Sequence, residues 1–177
     1  AFDVVEEAAD LVQLDISDHQ LVLDIGAAED KATIRGQGDL GYEMSECCQP
    51  VPGDLIVGVV DDADRVHVHR HDCLQALKAD VYGRLMTLEW KESVEVTFPV
   101  SIEVLAYDRF GLLHDITGIL MREHTNVQST TTLTDRQNNR VSIKMVIEVV
   151  QLNKLLQTLE KIKQLPNVTS ARRTVSS

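Results

Sequence analysis

Five apolar residues at strict period two, Val141, Ile143, Met145, Ile147 and Val149, constrain the fold of this chain more than any other stretch, with Ser142, Lys144 and Glu148 set between them. Only an extended strand sends alternate side chains to opposite faces, so the segment predicts a long strand with one face that must be covered. The sequence beside it supplies the cover. Leu152, Leu155, Leu156, Leu159 and Ile162 follow at helical spacing, and Pro166 stops that helix.

The same two periods recur around this pair. Val100, Ile102 and Val104 alternate with Ser101 and Glu103, Asp108-Arg109-Phe110-Gly111 reads as a loop, and Leu112, Leu113, Ile116, Ile119 and Leu120 mark one face of a helix. Asn126 to Leu133 is a threonine-rich strand, Asp135 to Asn139 a polar turn, and Val168 to Val175 a last strand. The order β-α-β-β-α-β is the split ferredoxin-like arrangement, which makes the chain α+β. Both helices then cover one sheet face and leave the other to water or a partner. Leu105, Val127, Val146 and Val150 do not all fit one buried side, so a second copy of the chain is an expected partner.

A smaller β-rich unit precedes it, over residues 47–97. Pro50, Pro52 and Gly53 prevent a helix at its start. Leu55 to Val60 reads as a strand, Asp61-Asp62-Ala63-Asp64 as a turn, and Val66-His67-Val68-His69 as a second strand. Asp72 is placed to cap a short helix over Leu74 and Leu77, and Leu85 to Trp90 reads as a closing strand. Residues 1–30 carry Val4, Val5, Ala8, Leu11 and Val12 at helical spacing, then a second short helix from a Ser17 cap to Leu23, closed by Gly26. The start, Ala1-Phe2-Asp3, reads as a cut inside a longer chain.

Charge is unevenly distributed. Of the net −11, residues 1–46 carry −10 and residues 47–100 carry −4, whereas residues 101–177 carry +3. A globally acidic chain argues against indiscriminate nucleic-acid binding and leaves room for a local contact by its less acidic end. No apolar run approaches the roughly 20 residues of a membrane span. Cys47, Cys48 and Cys73, an odd count within one short window, do not form a secreted disulfide framework, and a reducing cytoplasm fits better.

Two constellations carry chemistry. The turn into the helix at Asp108 to Ile116 leaves free amides that favour an anionic group such as an amino-acid carboxylate, with Asp108 placed to bind an ammonium or to cap. An ordinary tight turn with a helix cap remains the other reading. The second constellation is Cys47-Cys48-Gln49-Pro50-Val51-Pro52-Gly53-Asp54, followed by His67-Val68-His69-Arg70-His71-Asp72-Cys73. Thiolates with imidazole suit zinc in a tetrahedral site. Neighbouring side chains such as Cys47 and Cys48 diverge, however, so the spacing by itself favours metal-free thiols over a metal site. A hydrolytic Cys73–His69 pair has no carboxylate–His–nucleophile set around it beyond Asp72, which argues against an enzyme.

The strand followed by D-R-x-G-L-L-x-D-I, two β-branched strands and a helix resembles the ACT family over residues 98–176. That resemblance implies side-by-side pairing and ligand contacts at Asp108, Gly111, Leu112 and Leu113, with Asn126 and Val127 on the next strand. The stretch C-C-x-P-x-P-G-D, then H-R-x-D-C immediately upstream, resembles the C-terminal region of long RelA/SpoT-type stringent-response proteins, with Gln49 pointing to the RelA branch. In that family the segment is the conserved-cysteine, RIS or zinc-finger domain. The resemblance divides the chain into an acidic helical linker (1–35), a conserved-cysteine domain (36–97) and an ACT domain (98–177). It implies Cys47, Cys48, His69 and Cys73 as a zinc set, and RNA contacts at Arg65, Arg70 and Arg84, with Arg172 and Arg173 also available. It further implies a regulatory fragment of a GTP pyrophosphokinase, with the ribosome, deacylated tRNA and the catalytic domains of the same protein as partners. No synthetase nucleotide site and no H-D metal motif appear in these residues. The alternative is an amino-acid-binding homodimeric regulator of metabolism with no ribosome role.

Overall fold

A computed structural model describes residues 33–80, 82–92 and 96–174. The two helices expected between Val4 and Leu23 lie outside the described residues. In chain order the elements are β1 (Ile34–Arg35), β2 (Tyr42–Met44), β3 (Ile56–Val60), β4 (Val66–Arg70), α1 (Leu74–Asp80), β5 (Leu85–Thr87), β6 (Glu89–Trp90), β7 (Phe98–Tyr107), α2 (Leu112–Arg122), β8 (Asn126–Asp135), β9 (Arg140–Val149), α3 (Leu152–Lys163) and β10 (Val168–Arg173).

The last six elements have the expected β-α-β-β-α-β order, in an antiparallel sheet ordered β10-β7-β9-β8. Alternation along β9 does what its spacing requires: Val141, Ile143, Met145, Ile147 and Val149 are all buried. They lie opposite Ala106, Val104, Ile102, Val100 and Phe98 of β7. Leu112, Ile116, Ile119 and Leu120 of α2 and Leu155, Leu159 and Ile162 of α3 close this layer. Leu113 leaves the expected face, because it stands about 100° round the helix from Leu112, and is largely exposed. Of the four residues that did not fit one side, Val127 packs against the helix-covered core. Leu105 and Val146 are half-buried, and Val150 is exposed.

Glu123 ties the two helices together. It caps α2 at its C-terminal end, and its carboxylate receives Lys154 Nζ at 2.7 Å and also Lys161 Nζ, both from α3. The hydrogen bonds from Lys154 and Lys161 hold its pKa down at about 2, against an ordinary 4.5. A carboxylate whose folded-state pKa is depressed adds stability that is complete above its unfolded pKa and disappears as the pH falls through the folded value. Glu123 should therefore contribute fully near pH 7 and lose its contribution between pH 4.5 and about 2. Urea midpoints across that window should fall less steeply for Glu123→Gln than for the parent chain.

In the first half, β2-β4-β3-β5 form a second sheet, with β2 parallel to β4 and the other pairs antiparallel. Ile34, Ile56, Val66, Val68 and Leu88 fill its core. Gly58 is needed there, since a Cβ would come within 2.6 Å of Met86 Cγ and 2.7 Å of Val66 Cγ1. Asp61 builds the β3–β4 turn, accepting the amides of Ala63 at 2.8 Å and Arg65 at 2.9 Å. The expected closing strand is two strands. β5 pairs with β3, whereas β6 pairs with β1, so among the described residues the first paired position is Ile34. Helix α1 also departs from expectation. Cys73, not Asp72, stands at the N-cap, where the Gln75 and Ala76 amides pull its thiol pKa down, and the Asp72 carboxylate pairs with Arg70. Its one buried side chain is Ala76, while Leu74 and Leu77 face solvent. The two halves belong to one compact unit.

Candidate metal centre and the loop that carries it

Three elements meet at the cysteines. A turn over residues 46–48 carries Cys47 and Cys48, and the Gln49 amide closes it on the Ser45 carbonyl at 3.0 Å. Gln49 itself adopts the left-handed conformation at φ 45°, which swings the chain away immediately after the pair. The end of β4 offers His69, and the start of α1 offers Cys73.

These elements bring four ligand atoms within 4.8 Å of one another. Cys47 Sγ is 3.4 Å from His69 Nδ1 and 3.6 Å from Cys73 Sγ, and Cys48 Sγ is 3.7 Å from His69 Nδ1. A tetrahedral zinc site requires edges of about 3.8 Å between sulfurs and about 3.5 Å between sulfur and nitrogen, given bonds of about 2.3 and 2.0 Å. These three separations fit those edges. The divergence expected of adjacent cysteines does not occur, because they sit in a turn rather than in extended chain. The three thiols are free, so the cluster is not a disulfide.

Electrostatics point the same way. Burial pushes the Cys48 thiol up to about 12 and raises Cys47, which also hydrogen bonds Cys73. Burial pushes Cys73 up as well, but the hydrogen bonds it accepts from the Gln75 and Ala76 amides and from the other thiols outweigh this and leave its pKa lowered. Burial lowers His69 and keeps its imidazole neutral. A neutral imidazole beside thiols too crowded to ionise together is a donor set that a divalent cation completes. The Arg70 amide, 3.3 Å from Cys48 Sγ, orients that sulfur. Four protein donors leave no position for substrate or water, which is the pattern of a structural site. His69 Nδ1 points at Cys47 and Cys48, so no isolated His69–Cys73 couple exists.

Past the cysteines the loop faces the other half of the molecule. Val51 is fully buried in the core beneath β7 and β9. Gln49 Oε1 accepts the Ser101 amide of β7 at 2.7 Å, and the Pro52 carbonyl accepts the Leu152 amide that opens α3, also at 2.7 Å. Gly53, at φ 104°, has no room for a Cβ, which would stand 2.9 Å from Leu152 Cβ. Asp54 accepts the Val51 amide at 2.9 Å and binds Arg173 Nη1 through both oxygens at 3.0 Å. Arg173 Nη2 donates to the Cys48 and Gln49 carbonyls. Trp90 Nε1 donates to the Asp54 carbonyl at 2.9 Å, and its ring meets Phe98 edge-on at 5.4 Å. The roles of Gln49, Val51 and Asp54 were not legible beforehand, although all three stand inside the motif that marked the cysteines.

The arginines expected to contact RNA all have carboxylate partners. Arg65 pairs with Asp61 at 3.3 Å, Arg70 with Asp72, Arg84 with Asp62 at 3.1 Å, and Arg172 with Glu103 at 2.7 Å. Arg65 and Arg84 themselves are exposed, so each pair contributes little to stability. Arg173, only 12% exposed, is turned into the junction and is not a surface phosphate contact.

The expected small-ligand residues fall into two separate groups. Asp108, Gly111, Leu112 and Leu113 surround the start of α2. There Gly111 is left-handed at φ 78°, Leu112 is buried in the core, and Arg109 rather than Asp108 makes the ion pair, to Asp115 at 2.7 Å. Asn126 binds Glu148, which stands opposite Pro99, and Val127 is next to it. Pro99 and Tyr107 are the second and last residues of β7, about 26 Å apart at strand rise. Within one chain the two groups do not converge. A cavity of about 510 Å³ on the open sheet face is lined instead by Leu105, Tyr107, Leu133 and Arg140. Among the described residues no helix is long and apolar enough to cross a membrane.

Residues 32–91 match the RelA/SpoT RIS domain, and residues 95–173 match the ACT domain. Over 145 residues the chain is 37% identical to the GTP pyrophosphokinase of Escherichia coli (strain K12), covering 81% of this chain and 20% of that protein. Over 142 residues it is 33% identical to the GTP pyrophosphokinase of Haemophilus influenzae, covering 79% and 19%. It thus spans about a fifth of the length of these curated relatives. Among solved structures, the ACT domain from GTP pyrophosphokinase of Chlorobium tepidum matches 44% of this chain and 99% of its own, at 20% identity and a TM-score of 0.39. With a RIS domain directly followed by an ACT domain, and relatives of one kind across both, the chain belongs to the RelA/SpoT family and corresponds to its C-terminal regulatory region.

Proposed function

We propose that this chain is the part of a cytoplasmic (p)ppGpp synthetase that senses uncharged tRNA on the ribosome and controls catalytic domains lying elsewhere in the protein. The fragment itself is non-catalytic. Zinc, held by Cys47, Cys48, His69 and Cys73, would cross-link the loop, β4 and α1 and so present Arg65, Arg70 and Arg84 on a fixed scaffold. The observation that carries this reading is the closed four-donor cluster in a RIS domain packed against an ACT domain. Arg65 and Arg84, in exposed pairs, are the residues free to exchange a carboxylate for a phosphate.

The ACT domain provides pairing. Strand β8 is an edge whose side chains from Gln128 to Asp135 are all exposed, and the sheet face beside it holds Leu105 and Leu133. An amino acid touching both Asp108 and Asn126 would have to lie between two chains, so ligand sensing and pairing would be one event.

Co-sedimentation with ribosomes carrying deacylated tRNA tests the main reading. The fragment should pellet with them, and Arg65→Glu with Arg84→Glu should weaken this at least tenfold. Retention unchanged by deacylated tRNA or by the two reversals would sink it. Binding of a free amino acid by calorimetry, without any ribosome association, would favour a metabolic regulator instead.

A further inference from the structure

The octapeptide Cys47 to Asp54 has two faces. Its first two residues give sulfurs to the candidate metal centre. The remainder contacts the ACT domain at Ser101, Leu152 and Arg173 and inserts Val51 into the ACT core. One side chain spans the division: Arg173, from the last ACT strand, donates to the carbonyl of Cys48 as well as to Gln49 and Asp54. The Cys48 carbonyl is one residue's backbone away from a ligand sulfur. Moving Cys48 or turning its peptide plane therefore disturbs the Arg173 contacts, and the left-handed Gln49 leaves the loop little freedom to absorb the change.

We infer that metal occupancy of the cysteine centre and docking of the RIS domain on the ACT domain are a single coupled equilibrium, with loop 47–54 as the shared element. The inference rests on the metal reading above and adds to it that the metal sets the geometry between the two domains, not only the local fold of one. Without metal, only weak sulfur hydrogen bonds hold Cys47, Cys48 and Cys73 together, and the loop gains conformations in which Arg173 loses the Cys48 and Gln49 carbonyls. With metal, the sulfurs are fixed and the far side of the loop is presented in its docked form. Linkage makes the effect reciprocal: whatever factor the metal adds to docking, docking adds to metal affinity.

The molecule carries its own reporters. Trp90 is the chain's only tryptophan and sits at the junction between Asp54 and Phe98. The Ser101 and Leu152 amides are held by the loop itself. The experiment is amide exchange by NMR with Trp90 fluorescence on the whole chain, zinc-loaded, chelated and reloaded with Zn²⁺, with zinc counted by mass spectrometry. Chelation should speed exchange at Ser101 and Leu152 at least tenfold and expose Trp90. Val68 and Ile143, inside the two sheets, should lose much less protection than Ser101 and Leu152, and zinc should reverse the change. Arg173→Ala should weaken zinc binding by the same factor. Loss of zinc with Ser101 and Leu152 still protected overturns the inference and leaves the metal reading intact. Val68 opening together with Ser101 also overturns it, since the metal would then hold the RIS fold and not the docking. A chain that takes up no zinc removes both.

Discussion

Cys73→Ser should abolish one-to-one zinc binding and cost the chain well over 3 kcal/mol of stability. Serine keeps the shape of the side chain and can still cap α1, so the Gln75 and Ala76 amides are not orphaned. What it removes is a thiolate ligand. In zinc-dependent folds the metal contributes on the order of 10 kcal/mol at neutral pH, most of which is forfeited when one of four ligands cannot be ionised. A metal-free cluster would behave differently, losing only a half-buried thiol with its weak hydrogen bonds, about 1–3 kcal/mol. Thermal melts of the two proteins, each with its zinc content measured, separate these cases. An unchanged melting temperature would remove both. Because all three thiols must lose their protons to bind, zinc affinity should also rise steeply with pH. Cys48, pushed up to about 12, carries that dependence to the highest pH.

What the sequence made legible follows from the length of each signal. β7 and β9 run for ten residues each, long enough for alternation to identify them and to assign every side chain to a face. β1 and β2, of two and three residues, show no period and exist only because distant partners, Glu89–Trp90 and Val66–Val68, hold them. The Asp72 cap failed for a positional reason. A carboxylate is a usual N-cap, but the helix starts at Leu74, so Cys73 holds the capping position and Asp72, one residue earlier, pairs with Arg70. The metal set was legible as residue types and illegible as geometry, because whether Cys47 and Cys48 converge depends on a turn that no pattern in the chain specifies. The sequence offers Arg173 as a residue available for RNA contact, not as a junction residue. Its partner Asp54 is 119 residues earlier, and a contact at that separation leaves no mark on local sequence.

Arg173→Ala should destabilise the chain by up to about 3–5 kcal/mol, the cost of leaving one half of a largely buried ion pair without the other. The side chains of Arg173 and Asp54 are only 12% and 9% exposed, so water cannot take the place of the lost guanidinium. Alanine strands the Asp54 carboxylate together with the Cys48 and Gln49 carbonyls. Arg173→Lys should recover part of the loss and no more, since an ammonium meets the carboxylate as a point charge and cannot bridge it to two carbonyls as a planar fork does. Asp54→Ala alone should cost a similar amount, because it also frees the Val51 amide that the carboxylate holds. The double variant is the informative one. If the pair acts as a unit, Asp54→Ala with Arg173→Ala should cost clearly less than the two single losses together, measured as urea midpoints at constant slope. Strict additivity would mean that the two groups contribute independently, with Arg173 acting through the loop carbonyls alone. A single-variant loss below about 1 kcal/mol would place the pair with ordinary surface bridges and leave Val51, Gln49 and the Leu152 amide to hold the junction.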